Sequence, residues 1–221
     1  ALHPELYFGE DYTAARIEVE GYFVEFLETI YRGIARAPKP GLFRRVLHAW
    51  LNRPNHNTLD GSRENIHHHY DLGNDFYKLW LDSEMVYTCA YFSAPTLSLE
   101  EAQVAKMDHV CRKLELKPGQ TVVEAGCGWG ALARHMAKHY GVTVKAYNIS
   151  RQQLAHARER ARQEGLIGRV EYIEDDYRNI RGQYDAFVSV GMLEHVGMDN
   201  YPVLGAVAKN ALREHGRGLI H

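Results

Sequence analysis

From residue 117 onward, short apolar runs alternate with helical patterns, and this alternation limits the fold more than any other feature of the chain. LKPGQ reads as a turn and TVVEA, 121–125, as a buried strand. GCGWG is a glycine turn and ALARHMAKHY a helix. VTVKAYN, 142–148, reads as a second strand and SRQQLAHARERARQEG, 150–165, as a long helix ended by Gly165. RVEYIED, 169–175, and YDAFVSV, 184–190, give two more strands; Tyr201 to Arg213 reads as helical, and GLIH begins a fifth strand. Such alternation predicts a parallel α/β sheet with ligands at the carboxyl ends of its strands.

The preceding sequence is different. Residues 1–28 carry seven acids (Glu5, Glu10, Asp11, Glu18, Glu20, Glu25, Glu28) and one base, Arg16. Residues 29–59 carry six bases (Arg32, Arg36, Lys39, Arg44, Arg45, Arg53) and no acid. Residues 17–31 read as a helix, and GLFRRVLHAWL places Leu42, Phe43, Val46, Leu47, Trp50 and Leu51 on one stripe of another. PKPG at 38–41 separates the two, and the polar stretch 52–65 reads as a linker. Further on, Ser98 with Glu101 forms a capping box, opening a helix that buries Met107, Val110, Cys111 and Leu114.

Composition excludes several classes. A net charge of −2 argues against a chain-wide grip on nucleic acid. No apolar run approaches the ~20 residues that span a bilayer. Cys89, Cys111 and Cys127 make no CxxC pair, which argues against both a disulfide scaffold and structural zinc. His67, His68 and His69 are consecutive, so they cannot all converge on one ion, and no metal is expected. The start at Ala1 and the apolar GLIH at the end lead us to expect a piece of a longer protein.

Several motifs carry chemistry. Gly126 and Gly128 allow close backbone approach at a strand-to-helix turn. With Ala131 in third place, GCGWGA satisfies a dinucleotide fingerprint, yet that fingerprint wants an acid where Asn148 stands. Glu124 beside the turn would repel a pyrophosphate and suits a cationic cofactor, S-adenosylmethionine, better. Glu194 and His195 lie after the fourth strand, where active sites of this architecture gather; adjacent side chains diverge, so one of them is expected to face a ligand. Cys89, taken alone, reads as a small core residue. The basic aromatic stretch 29–59 suits either an anionic membrane surface or packing on a catalytic domain.

HYDLGNDFYKLWL, YTCAYF, EAGCGWG, NISRQQ, DDYR and GMLEHVG occur here in order. With these motifs the chain resembles the cyclopropane-fatty-acid-phospholipid synthases, whose family includes mycolic acid cyclopropane synthases and fatty-acyl methyltransferases. The resemblance covers nearly the whole chain and is strongest from Ile66. It implies a class I S-adenosylmethionine-dependent methyltransferase fold, a Rossmann-like parallel sheet, with the C-terminal strands missing and a small helical region in front. Residues 1–60 would be part of a small N-terminal domain plus linker helices, and 61–221 an incomplete catalytic domain.

The implied activity inserts a methylene from S-adenosylmethionine across the cis double bond of an unsaturated phospholipid acyl chain, with bound bicarbonate as base. Bicarbonate suits the task because an apolar acyl tunnel tolerates few ionised side chains. By matching motifs, Cys89, Glu194 and His221 would line the bicarbonate pocket, with Cys89 a wall rather than a nucleophile. Tyr87, Thr88, Gly126, Cys127, Gly128, Asn148 and Gln153 would contact the cofactor, and Asp176 and Tyr177 would lie near its adenine. The family often has Thr in place of Asn148 and Ser in place of Thr88; both replacements stay polar. It also continues past His221 with a tyrosine that completes the pocket, so this chain alone is expected to be inactive or barely active. The implied setting is peripheral, at the cytoplasmic face of the membrane, and a homodimer stays open. Plain methyl transfer giving a branched chain, a non-catalytic lipid- or cofactor-binding role, and a dinucleotide oxidoreductase are the alternatives.

Overall fold

The computed structural model describes residues 4–36 and 73–221, in two units, Ala1–Asn55 and His56–His221. The helix read at 42–51, the linker at 52–65 and the histidine run lie outside the described residues.

In the first unit, helices α1 (Pro4–Thr13) and α2 (Phe23–Arg36) meet through aromatic rings. Tyr12 lies 4.7 Å from Phe23, and Phe8 lies 5.7 Å from Phe26, between ring centres. The helix expected at 17–31 begins later and runs further. Gly21 adopts φ +99°, which breaks helical geometry before Phe23, while Arg36 sits favourably at the negative end of α2.

The second unit opens with α3 (Gly73–Tyr77) and the irregular segment 82–92, followed by α4 (Leu99–Lys113). Ser98 Oγ accepts from Glu101 N at 3.2 Å and Glu101 Oε2 accepts from Ser98 N at 2.8 Å, closing the expected capping box. The alternation then runs β1 (Thr121–Ala125), α5 (Ala131–Tyr140), β2 (Thr143–Asn148), α6 (Arg151–Gln163), β3 (Val170–Glu174), β4 (Tyr184–Ser189), α7 (Leu193–Val196), α8 (Tyr201–Ala211) and β5 (Leu212–Ile220). Among the described residues five strands form one parallel sheet in the order β3-β2-β1-β4-β5.

Strand β1 lies at the centre and is apolar because both its faces are covered. Val122, Val144, Ala146, Val170 and Val188 face one core, shared with Met107, Val110, Cys111, Met136 and Leu154 of the helices. Val123, Ala125, Tyr147 and Phe187 face a second core, with Leu204 and Ala211 of α8. The helix expected to reach Arg213 stops at Ala211 because Leu212 pairs with Tyr184. The pairing then shifts register and resumes at Arg217 opposite Ala186, His215 in between taking φ +63°.

Candidate active site

The strand order leaves a crevice at the carboxyl ends of β1 and β4, where successive connections leave for opposite sides of the sheet. The glycine turn lies there. Gly126 N and Cys127 N both donate to Tyr147 O, at 2.9 and 3.0 Å, and Gly130 N donates to Cys127 O at 2.8 Å. Donors of this kind can cradle an anion in a phosphate-binding turn; here two of them hold the backbone to β2 and the third closes the turn on itself. Gly128 takes φ +53°, and the space its side chain would occupy is open. Gly126 takes φ +79° with Met192 Sδ where a Cβ would clash, so the turns after β1 and β4 touch. The Cys127 thiol is buried, and burial pushes its pKa well up, making it an inert wall.

Glu124 sits beneath the turn, 3% exposed, and its Oε2 has no hydrogen-bond partner among the described residues. Burial raises its carboxyl to about 8 against the opposing pull of Lys106 and Arg134. At the end of β2, Asn148 Nδ2 donates to Gln153 Oε1 at 2.7 Å and to Gly128 O at 3.2 Å, tying the glycine turn to α6. At the end of β3, Asp176 is buried and engaged by Arg178, whose Nε and Nη2 lie 2.7 and 2.8 Å from its two oxygens. Tyr177 packs beside it against the second core.

The far wall is built around Gly191. Its φ is +74°, and a Cβ there would lie 2.2 Å from Thr88 Cγ2 and 4.0 Å from Glu194 Oε1. His221 N donates to Ser189 O and Gly191 N to His221 O, both at 2.9 Å. Thr88, Glu194 and the backbone of His221 thus meet at one glycine, with Cys89 next to Thr88. The side chains of Cys89, Glu194, His195 and His221 are exposed. Tyr87 is 43% exposed and its ring lies 5.1 Å from Trp80 and 5.4 Å from Tyr77.

Residues that sequence reasoning missed hold this wall in place. Gln103 Nε2 donates to Val86 O at 3.2 Å and Thr88 O at 2.9 Å. Lys106 Nζ donates to Thr88 Oγ1. Tyr91 N donates to Ala102 O at 3.1 Å, and the Tyr91 ring stacks on His109. One signal was present. Gln103 falls four residues before Met107, on the buried stripe of α4, and a glutamine there needs a partner. A cleft of about 440 Å³ lies at the opposite, amino ends of the strands, lined by Thr121, Thr143, Lys145 and Tyr184.

Residues 57–221 match the family described as mycolic acid cyclopropane synthetase. The chain belongs to this family. It is 47% identical over 153 residues to the cyclopropane-fatty-acyl-phospholipid synthase of Escherichia coli, covering 69% of this chain and 39% of that one. A probable fatty acid methyltransferase of Pseudomonas putida is 44% identical over 160 residues, covering 72% and 41%. The chain therefore spans about two fifths of the length of these curated relatives. The solved structure of the mycolic acid cyclopropane synthase CmaA1, complexed with SAH and CTAB, superposes with a TM-score of 0.67 at 32% identity, covering 72% of this chain and 55% of that one. Family membership and this match identify the sheet as the expected class I methyltransferase fold.

Proposed function

We propose that the chain carries the cofactor side of an enzyme that moves a methylene from S-adenosylmethionine to the cis double bond of an unsaturated phospholipid acyl chain. The observation that carries this proposal is the glycine turn with its donors engaged by Tyr147, facing a wall of Thr88, Glu194 and His221 gathered on Gly191. A turn of this kind suits a cofactor without phosphates better than a dinucleotide. Open space at Gly128 fits a nucleoside lying across the crevice, whereas burial keeps Glu124 protonated, so the charge argument read from the sequence does not carry the choice of cofactor.

When bound, the cofactor supplies an electrophilic methyl carbon on a cationic sulfur. Asp176 and Tyr177 border its adenine, and Asn148 and Gln153 hold its ribose. Gly126, Cys127 and Gly128 give it a close floor, and Tyr87 and Thr88 close over its amino-acid end. Glu194 fixes the proton of a bicarbonate ion by a hydrogen bond, and His221 donates to the same ion. Cys89 walls that pocket. An anion held this way can take a proton from the transferred methyl without a buried charged side chain in the acyl tunnel.

The lipid substrate has two supports. One is the name of the Escherichia coli relative; the other is the long alkyl chain of the CTAB held by CmaA1. Phe76, Trp80 and Tyr87 are exposed and in ring contact with one another through Trp80, an apolar patch suited to peripheral contact with the membrane's inner face. Among the described residues no helix is long and apolar enough to cross a membrane. Plain methyl transfer is the second reading, favoured by the Pseudomonas putida relative, and it uses the same residues.

Both are tested by giving protein purified from the whole native gene labelled S-adenosylmethionine and vesicles of cis-monounsaturated phosphatidylethanolamine and phosphatidylglycerol. Acyl chains heavier by one methylene are the expected product, and two further hydrogens, which a separate hydride donor must supply, would mean a saturated methyl branch. Unmodified acyl chains would sink the lipid assignment.

A further inference from the structure

Helix α4 turns a cation toward the site. Lys106 Nζ donates to Thr88 Oγ1, and its side chain is half-buried. Among the described residues the ammonium makes no ion pair within 4 Å, although an acid, Glu124, is buried on the neighbouring strand β1. Asp82, Glu124 and Cys89 act on its charge from a distance. Neither acid touches the ammonium among the described residues. The oxygens of Asp82 accept from Val86 N at 2.7 Å and Glu84 N at 3.2 Å, while burial keeps the Glu124 carboxyl protonated up to a pH of about 8. Burial in turn pulls the lysine down to about 8, against the upward pull of those three neighbours. A half-buried ammonium with no counter-ion in contact is costly, and a bound anion would relieve that cost.

The layout of the crevice says which anion. With adenine at the end of β3 and ribose at the end of β2, the amino-acid end of the cofactor points toward β1 and Thr88. That end carries the cofactor's one carboxylate. We infer that Lys106, seated on Thr88, is the residue that binds the α-carboxylate of the cofactor's amino-acid end. This rests on the cofactor assignment of the preceding subsection. Thr88 supplies a hydroxyl to the same group, and Gln103, one turn earlier on α4, fixes the backbone that presents it. The proposed bicarbonate pocket is adjacent, so the test has to separate the two anions.

Calorimetric titration of the full chain with S-adenosylhomocysteine and with 5′-methylthioadenosine, which lacks the amino-acid end, makes that separation. Lys106→Met and Lys106→Gln are expected to weaken S-adenosylhomocysteine by roughly tenfold to a hundredfold, the range of a charge-assisted hydrogen bond, and to leave methylthioadenosine unchanged. Lys106→Arg is expected to restore most of the affinity. Because glutamine can still donate to Thr88, wild-type affinity in Lys106→Gln would reduce the lysine to a prop for Thr88 and overturn the charge role. Parallel loss of both nucleosides, with melting curves showing folded variants, would also overturn it. So would unchanged S-adenosylhomocysteine binding accompanied by loss of bicarbonate binding. A wild-type chain that binds neither nucleoside would instead overturn the cofactor assignment itself, before any variant is compared.

Discussion

At the scale of single residues, Glu124 shows what burial does beside a binding site. Its carboxyl rises from 4.5 to about 8 because the folded chain removes it from water, Lys106 and Arg134 opposing only in part. Between those two values the folded protein holds a proton that the unfolded chain releases. The stability is therefore full below about 4.5 and falls as pH rises toward about 8. The slope reaches at most about 1.4 kcal/mol per pH unit. Glu124→Gln, which stays neutral, is expected to flatten this dependence and to gain on the wild type as the solution becomes alkaline. Urea unfolding across that pH range measures it, and an unchanged slope would remove Glu124 as the cause. The glycine turn at Gly126 and Gly128 was legible in the sequence as a strand-to-helix turn, whereas the bond by which Asn148 reaches Gly128 O, twenty residues away, was not. Gln103 left only the hint of a glutamine on a buried stripe, and Lys106 and Gly191 left none, since their partners lie 15 or more residues away and no motif joins them.

At the scale of elements, α4 links stability to the site. Its first turn is closed by Ser98 and Glu101, and its next two turns carry Gln103 and Lys106 against the segment that presents Thr88. Ser98→Ala is expected to cost about 1 kcal/mol in urea unfolding, the value of an N-cap, and to leave the fold intact. Hydrogen exchange should then quicken first at the start of α4 and in residues 86–91, which hang from it. Uniform quickening across the sheet would show that the cap acts globally instead. The capping box was legible because it is a four-residue pattern. Element boundaries were less so where a glycine or a strand partner intervened. Gly21 at φ +99° moved the start of α2, and the pairing of Leu212 with Tyr184 ended α8. Neither leaves a mark on hydrophobic periodicity.

For the whole catalytic unit, the alternation of strands and helices made the sheet legible in advance, because buried parallel strands must be apolar on both faces. What the alternation could not supply is the connection between the segment before the sheet and the sheet itself. A buried arginine makes that connection. Arg134, 2% exposed on α5, reaches Glu84 Oε2 at 2.6 Å, Glu164 Oε1 at 3.0 Å and Trp129 O at 2.9 Å. Arg160 of α6 pairs with Glu84 as well. One guanidinium thus fastens the segment before α4, the glycine turn and the end of α6. Arg134→Met keeps much of the volume but leaves the Trp129 carbonyl without its donor and removes one donor from each of two carboxylates, Glu84 keeping Arg160 and Glu164 keeping Lys138 and Arg160. Loss of one partner from a buried pair costs about 3–5 kcal/mol, and the partial exposure of Glu84 and Glu164 places this case toward the lower end. Because the arginine is shielded from solvent, molar salt should change the difference little. Urea unfolding of both proteins with and without added salt reads the two quantities together. A loss below 1 kcal/mol, or one that salt abolishes, would mean that the network is a surface feature and that hydrophobic packing alone joins these elements.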